Sequence, residues 1–223
     1  MKKTLVALAA LSAFSASFAE EAKEKNWYDI TGWSGSGEYS YKEKQNVTTS
    51  EVHNVMTMTI AAKFHDGWSV EAVNETERVD YSTGTASASM EGLVQIGIGK
   101  SFKIENSMFS SFTPYVKAAY GHKFKKDMDF DIYRYDIGTN YKVDDSIGLQ
   151  FNWRHRQATT DYIDTATVST ATKYKTNEAT FGIIYRFTPK DSIRVAKKLE
   201  RADAIGNASS EYNTTSLTYS RSF

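Results

Sequence analysis

The stretch Tyr133-Arg134-Tyr135-Asp136-Ile137-Gly138-Thr139-Asn140-Tyr141-Lys142 changes character at every step. Tyr133, Tyr135, Ile137, Thr139 and Tyr141 form one set, and Arg134, Asp136, Gly138, Asn140 and Lys142 form the other. Successive side chains of a β-strand point to opposite faces, so this run gathers rings and aliphatics on one face. Charge, amide and glycine fall on the other. Period two is a strand; the apolar positions of a helix recur at three and four.

The pattern repeats along the chain. Met56, Met58, Ile60, Ala62 and Phe64 interleave with Thr57, Thr59, Ala61 and Lys63. Ile147, Leu149, Phe151 and Trp153 alternate with Gly148, Gln150, Asn152 and Arg154, and Ala179, Phe181, Ile183, Tyr185 and Phe187 with Glu178, Thr180, Gly182 and Arg186. An apolar face against lipid and a polar face against water is what a membrane-spanning barrel asks of each strand. A soluble sandwich also alternates, but rarely over segments this long. Beyond the first residues no apolar run approaches the ~20 that a spanning helix needs, and mean hydropathy is low, −0.50. A membrane crossing must therefore use strands, closed so that no backbone edge is left unpaired in lipid.

The start of the chain predicts export. Met1, Lys2 and Lys3 precede an uncharged apolar run, Thr4 to Phe18, which closes on Ser17-Phe18-Ala19. That is the pattern of a cleavable signal peptide. Residues 1–19 are expected to be removed, residues 20–29 to form a short periplasmic segment, and residues 30–223 to form the barrel. An ordinary N-terminal helix is the alternative reading.

Short turns are expected at 65–67, 143–146 and 188–191, and longer polar segments at 43–51, 80–88, 157–174 and 201–211. Short periplasmic turns and longer external loops are the barrel arrangement. The joins at 103–111 and 124–128 depart from it, one long for a turn and the other short for a loop. The strands then fall at 30–42, 52–64, 68–79, 89–102, 112–123, 129–142, 146–156, 175–187, 192–200 and 212–223. The expected fold is all-β: a transmembrane antiparallel up-and-down β-barrel of about ten strands, with twelve as the alternative. It is expected as a monomer in the outer membrane of a Gram-negative cell, against lipid and lipopolysaccharide. Phe64, Trp68, Phe102, Tyr141, Phe187 and Phe223 fall at the periplasmic ends of outward faces, where an aromatic girdle belongs. Leu217, Tyr219 and Phe223 share one face of the last strand. A terminal Phe closing an alternating strand resembles the signal read by the barrel-assembly machinery, although Arg221 stands where an apolar residue is usual.

Little else suggests chemistry. The chain has no Cys, and its Lys+Arg and Asp+Glu counts are equal at 27 each, so no nucleic-acid partner is implied. His53, His65, His122 and His155 are scattered, without the spacing of a metal site. No nucleophile elbow or phosphate-binding loop is present. No cofactor, metal or catalytic residue is expected, and the protein is read as a non-enzyme. Ten strands is also the count of the omptin family of outer-membrane proteases, which use paired acids and an Asp-His pair at the rim. Here His53 points inward near the outer end of its strand with Asp80 nearby in sequence, but the chain is far shorter than an omptin. A rim histidine in water is the favoured reading.

The inward charges are more informative. The first four strands contribute Glu38, Glu71, Glu75, Glu77 and Glu91 against Lys42 and Lys63. Strands five to nine contribute Lys117, Lys123, Arg134, Lys142, Arg154, Arg156, Arg186, Arg194 and Lys198, opposed there by Asp136, Glu178 and Glu200. One wall is therefore acidic and the facing wall basic, which would orient a charged or dipolar solute in transit. The alternative is that the same residues interlock as ion pairs and fill the barrel. Eight strands leave room only for side chains and 16–18 an aqueous channel; ten lies between.

The hairpins Tyr135 to Arg156 and Thr180 to Lys198, with the ending Tyr212 to Phe223, resemble the small monomeric porins of the oligogalacturonate-specific family. The resemblance implies that Arg134, Arg154, Arg156, Arg186 and Arg194 line a solute path. Those porins have twelve strands, and the glutamates of the N-terminal half here would repel an acidic sugar. The porin class is retained and that substrate is not. The expected function is passive diffusion of small hydrophilic solutes or ions. A non-conducting structural or surface-interaction barrel, acting through 157–174 and 201–211, is the alternative, and an outer-membrane hydrolase a distant third.

Overall fold

Where polar and apolar residues alternate, the chain is extended into ten strands. These are β1 Ile30–Lys44, β2 Glu51–Phe64, β3 Trp68–Tyr81, β4 Ser89–Ser101, β5 Phe112–Lys125, β6 Met128–Lys142, β7 Ile147–Tyr162, β8 Thr170–Arg186, β9 Asp191–Ala204 and β10 Ser210–Ser222. The structure is a computed structural model and describes residues 28–45, 51–81, 89–104, 111–125, 128–162, 170–204 and 209–223. The expected signal peptide and nearly all of the segment 20–29 lie outside the described residues.

Every strand pairs antiparallel with its sequence neighbours, and β1 pairs with β10 from Ser34 opposite Ser222 to Lys44 opposite Tyr212. The sheet is closed at ten strands, not twelve. Closure removes the two edges that an open sheet would present to lipid. Among the described residues no helix is long and apolar enough to cross a membrane.

The strand ends differ most from expectation at 157–174. There β7 and β8 stay paired as far as Tyr162 opposite Thr170, so most of the anticipated loop is ladder. Above the lipid belt both faces of a hairpin meet water. Hydrophobic alternation then disappears while the backbone hydrogen bonds persist. The stretch 201–211 shows the same, with β9 running to Ala204 and β10 starting at Ser210. Residues 163–169 and 205–208, the remainder of the two proposed loops, lie outside the described residues.

At the opposite end the connections are tight. Between β2 and β3, Asp66 and Gly67 take positive φ values of 58° and 77°, and a Cβ on Gly67 would run into the Ser101 carbonyl. Between β6 and β7, Asp144 Oδ1 accepts from the backbone N–H of Ser146 and of Ile147, both at 2.7 Å. Between β8 and β9, Thr188 Oγ1 accepts from Asp191 N–H at 2.9 Å. In an outer-membrane barrel the short turns face the periplasm.

The outer surface carries the apolar set. Met58, Ile96, Ile137, Val195 and Leu199 are exposed along it, as a lipid-facing belt requires. Trp68, Phe102, Phe187 and Phe223 are exposed at the short-turn end, and the Phe112 and Tyr141 rings meet tilted by 37° with centroids 4.6 Å apart. Leu217, Tyr219 and Phe223 all point outward, and Phe223 N–H donates to the Trp33 carbonyl at 2.9 Å. Not every inward position is polar. Leu93, Phe130 and Ile132 are buried together, with Ala158 and Tyr174 packed against them, in the half of the lumen away from the short turns.

Candidate functional site: an ion-paired lumen

The lumen charges are ion-paired at three levels of the barrel, because a charge taken out of water must find an opposite partner. In the half nearer the short turns, Glu38 of β1 holds two cations of β9. Its Oε2 lies 2.5 Å from Arg194 Nη2 and 2.9 Å from Thr218 Oγ1, while Lys198 and Ser40 bind Oε1. Arg194 also donates to Gln150 Oε1 of β7. Gln150 Nε2 donates to Tyr115 Oη at 3.3 Å, and Tyr115 to Asn152 Oδ1 at 3.1 Å. A polar chain thus crosses from β1 to β5.

At mid-height Glu71 of β3 accepts from Lys117 Nζ at 2.6 Å and from Arg134. Arg134 Nη1 donates to Gln95 Oε1 at 3.0 Å, and its Nε lies 3.0 Å from Asp136 Oδ2. Arg154 of β7 donates to Asp136 Oδ1 at 2.6 Å and stands 3.8 Å from Glu178 of β8. Arg156 Nη2 reaches Glu75 Oε2 at 3.6 Å.

Toward the outer end, Lys123 lies 2.9 Å from Glu77 and 2.6 Å from Glu91. His53 sits between two carboxylates, with Nδ1 at 2.6 Å from Glu77 Oε1 and Nε2 at 2.8 Å from Glu51 Oε1. Lys42 binds Glu200 at 2.8 Å and lies over the Tyr212 ring, which stands perpendicular to the His53 ring at 5.4 Å between centroids.

Glu38, Glu71, Glu75, Glu77 and Glu91 all point inward, as do Lys117, Arg134, Arg154, Arg156, Arg194 and Lys198. They do not stand as two walls separated by water. Ring closure makes β1 a near neighbour of β9 and brings β3 within reach of β5, β6 and β7, so acidic and basic faces meet and pair. Two members of the anticipated basic wall do not border this cavity. Lys142 is exposed at the short-turn end, 2.5 Å from Asp145. Arg186 sits at that same end beside Gly148. His53 is buried rather than wet, and its partners are Glu51 and Glu77. Asp80, paired in register with Val52, instead accepts from Arg78 and Asn54 on the outer face.

Gln95, Tyr115, Gln150 and Tyr212 escaped the charge-based reading because they are neutral; alternation alone would have placed them inside. A cavity of about 520 Å³ remains within the lumen, bordered by Thr57, Glu75, Arg154, Arg156, Leu93 and Phe130 among others. Among the described residues no group of three or more His, Cys, Asp or Glu is placed to hold a metal ion.

Similar barrels are known. An outer-membrane channel from Pseudomonas putida shares 12% identity, with a TM-score of 0.55 over 91% of this chain and 100% of that one. The outer membrane protease OmpT of Escherichia coli shares 9%, with a TM-score of 0.48 over 91% and 100%. The outer-membrane OmpT of Vibrio cholerae shares 11%, with a TM-score of 0.40 over 82% of this chain; the present chain spans 64% of its length. At such identities the likeness is one of fold. No curated protein matches the sequence. The likeness to the Pseudomonas putida channel is to a barrel fold in general, not to the oligogalacturonate porins in particular. The sequence itself matches the outer membrane protein beta-barrel domain over residues 6–187. With the closed ten-strand ring and its lipid-facing belt, that match assigns the chain to the family of outer membrane protein beta-barrel domains.

Proposed function

We propose that this barrel is an outer-membrane channel for passive diffusion of small hydrophilic solutes or ions. The observation that carries the reading is the cavity of about 520 Å³ in a lumen bordered by nine carboxylates and eight Lys or Arg side chains. Near-equal numbers of opposite charges leave a polar path with weak net selectivity, tuned locally by whichever sign stands nearest the solute. The resemblance in fold to an outer-membrane channel supports the same class.

The cross-lumen pair of Glu75 and Arg156 favours a second reading, in which ion pairs and the Leu93–Phe130–Ile132 cluster close the path and the barrel serves a structural role. Protein refolded and inserted into a planar bilayer distinguishes the two. Discrete, ohmic current steps are expected of the channel. A folded, heat-modifiable protein that stays silent across salt concentrations and voltages would establish the structural barrel instead.

A further inference from the structure

All eight Lys and Arg side chains that border the cavity are ion-paired. Arg186 is not. It ends β8, faces inward at the short-turn end, and makes no ion pair or side-chain hydrogen bond among the described residues. Its Nη1 is buried and without a partner. The guanidinium rests beside Gly148 of β7, where an added Cβ would stand 2.9 Å from Nη2 and 3.2 Å from Nη1. The missing side chain makes the seat.

A row of hydroxyls runs round the barrel from this seat. Arg186 is opposite Ser192 of β9, Ser192 opposite Ser220 of β10, Ser220 opposite Ser36 of β1, and Ser36 opposite Thr59 of β2. By alternation each lies on the inward face of its strand, and none of these hydroxyls has a hydrogen-bond partner among the described residues. Neighbouring strands are about 4.8 Å apart, so Ser192 and Ser220 lie within the span of an arginine side chain. The inward carboxylate of this sector, Glu38, is already taken by Arg194, Lys198, Thr218 and Ser40.

We propose that Arg186, with the Ser192 and Ser220 hydroxyls, forms a binding subsite for a small oxyanion at the periplasmic mouth of the lumen. A planar guanidinium matches two oxygens of a phosphate, sulfate or carboxylate at once, and hydroxyls donate to a third. The subsite deepens the channel reading by naming a solute class, and it rests on that reading only for the solute's passage.

The test is a titration of refolded protein in micelles with inorganic phosphate at constant ionic strength, followed by calorimetry and by the Arg186 guanidinium NMR signal. Wild type should give a saturable response. Arg186→Gln should weaken binding by about tenfold or more, as loss of a charge-assisted hydrogen bond implies. Gly148→Ala, which leaves the charge in place but crowds the seat, should weaken it several-fold. Lys190→Gln, which removes an exposed cation from the neighbouring turn, should change nothing. If Arg186→Gln fails to fold, Gly148→Ala and Ser192→Ala carry the same expectation. A non-saturable wild-type response, or equal losses in Lys190→Gln and Arg186→Gln, would overturn the subsite. Binding needs no current, so phosphate binding in a silent barrel would refute the channel alone, and a conducting barrel without it would refute the subsite alone.

Discussion

Glu75 Oε2 and Arg156 Nη2 stand 3.6 Å apart although β3 and β7 lie four strands apart around the ring. The contact is therefore strung across the lumen, while the ladder pairs on either side run along its wall. Both side chains are partly accessible, at 13% and 21%. Water thus reaches the pair, and breaking it need not leave a dry, unpaired charge.

In a conducting barrel, Glu75→Gln should move the reversal potential toward anion selectivity and Arg156→Gln toward cation selectivity. The double variant should raise single-channel conductance with little change in selectivity, since it removes the crossbar and both signs together. The single-variant shifts should shrink with salt, because the Debye length falls from about 10 Å at 0.1 M to about 3 Å at 1 M. Shifts of the same sign in the two single variants would show that these residues do not face the conducting path.

The deeper pair behaves differently. Arg134 and Glu71 side chains are 4% and 6% exposed. Glu71→Ala would take that carboxylate from Arg134, which lies in a low-dielectric site, and from the partly exposed Lys117. Unfolding in urea from lipid vesicles should show a loss of about 3–5 kcal/mol. Arg78→Ala, whose ion pair with Asp80 is 61% and 39% exposed, should cost no more than about 1 kcal/mol. Equal costs at the two sites would mean that the Glu71 group is solvated.

Strand number, order and facing were legible because each crossing meets two solvents, lipid and water, and every residue is sorted between them. Met56, Met58 and Ile60 could only face out. The same logic failed at the end of β7, where the ladder runs on past Thr159 as far as Tyr162 in a sequence without hydrophobic alternation. It also failed inside. Leu93, Phe130 and Ile132 are apolar yet point inward, where they pack against one another instead of contacting water. The partners of the charges were out of reach for another reason. Lys117 finds Glu71 and Arg194 finds Glu38 through closure and register, and composition does not encode either. His53 illustrates both limits, since alternation turned it inward but only register sets Glu77 beside it.

At the short-turn end, Lys142 Nζ donates to Asp145 at 2.5 Å and holds that carboxyl below its usual range, first by the hydrogen bond and then by charge. A carboxyl depressed in the folded state stabilises the turn above its unfolded pKa, and that contribution is lost as pH falls through the folded value. Carboxyl NMR of Asp145 should accordingly give a midpoint below that of an unstructured peptide. Lys142→Gln should move it upward. An unchanged midpoint in that variant would remove Lys142 as the cause.

Neighbouring residues of β2 offer the sharpest test of which face meets lipid. Met58 is 63% exposed on the outer surface, midway along the strand, whereas Thr57 borders the lumen cavity. An arginine on the lipid face near the midplane costs about 2–4 kcal/mol, because no water solvates it there. Met58→Arg should show a loss of that size in equilibrium folding from urea into vesicles. The adjacent Thr57→Arg has the opposite setting. Thr57 lies opposite Glu38 on one side and Glu75 on the other, so a new cation at that position enters a polar lumen between two carboxylates. Its folding free energy should stay within about 1 kcal/mol of wild type. The two substitutions add the same charge and bulk one residue apart, so strand propensity cannot separate them; only the direction of the side chain can. Similar losses at both positions would show that β2 does not divide lipid from lumen, and would invalidate every inward assignment that depends on its register.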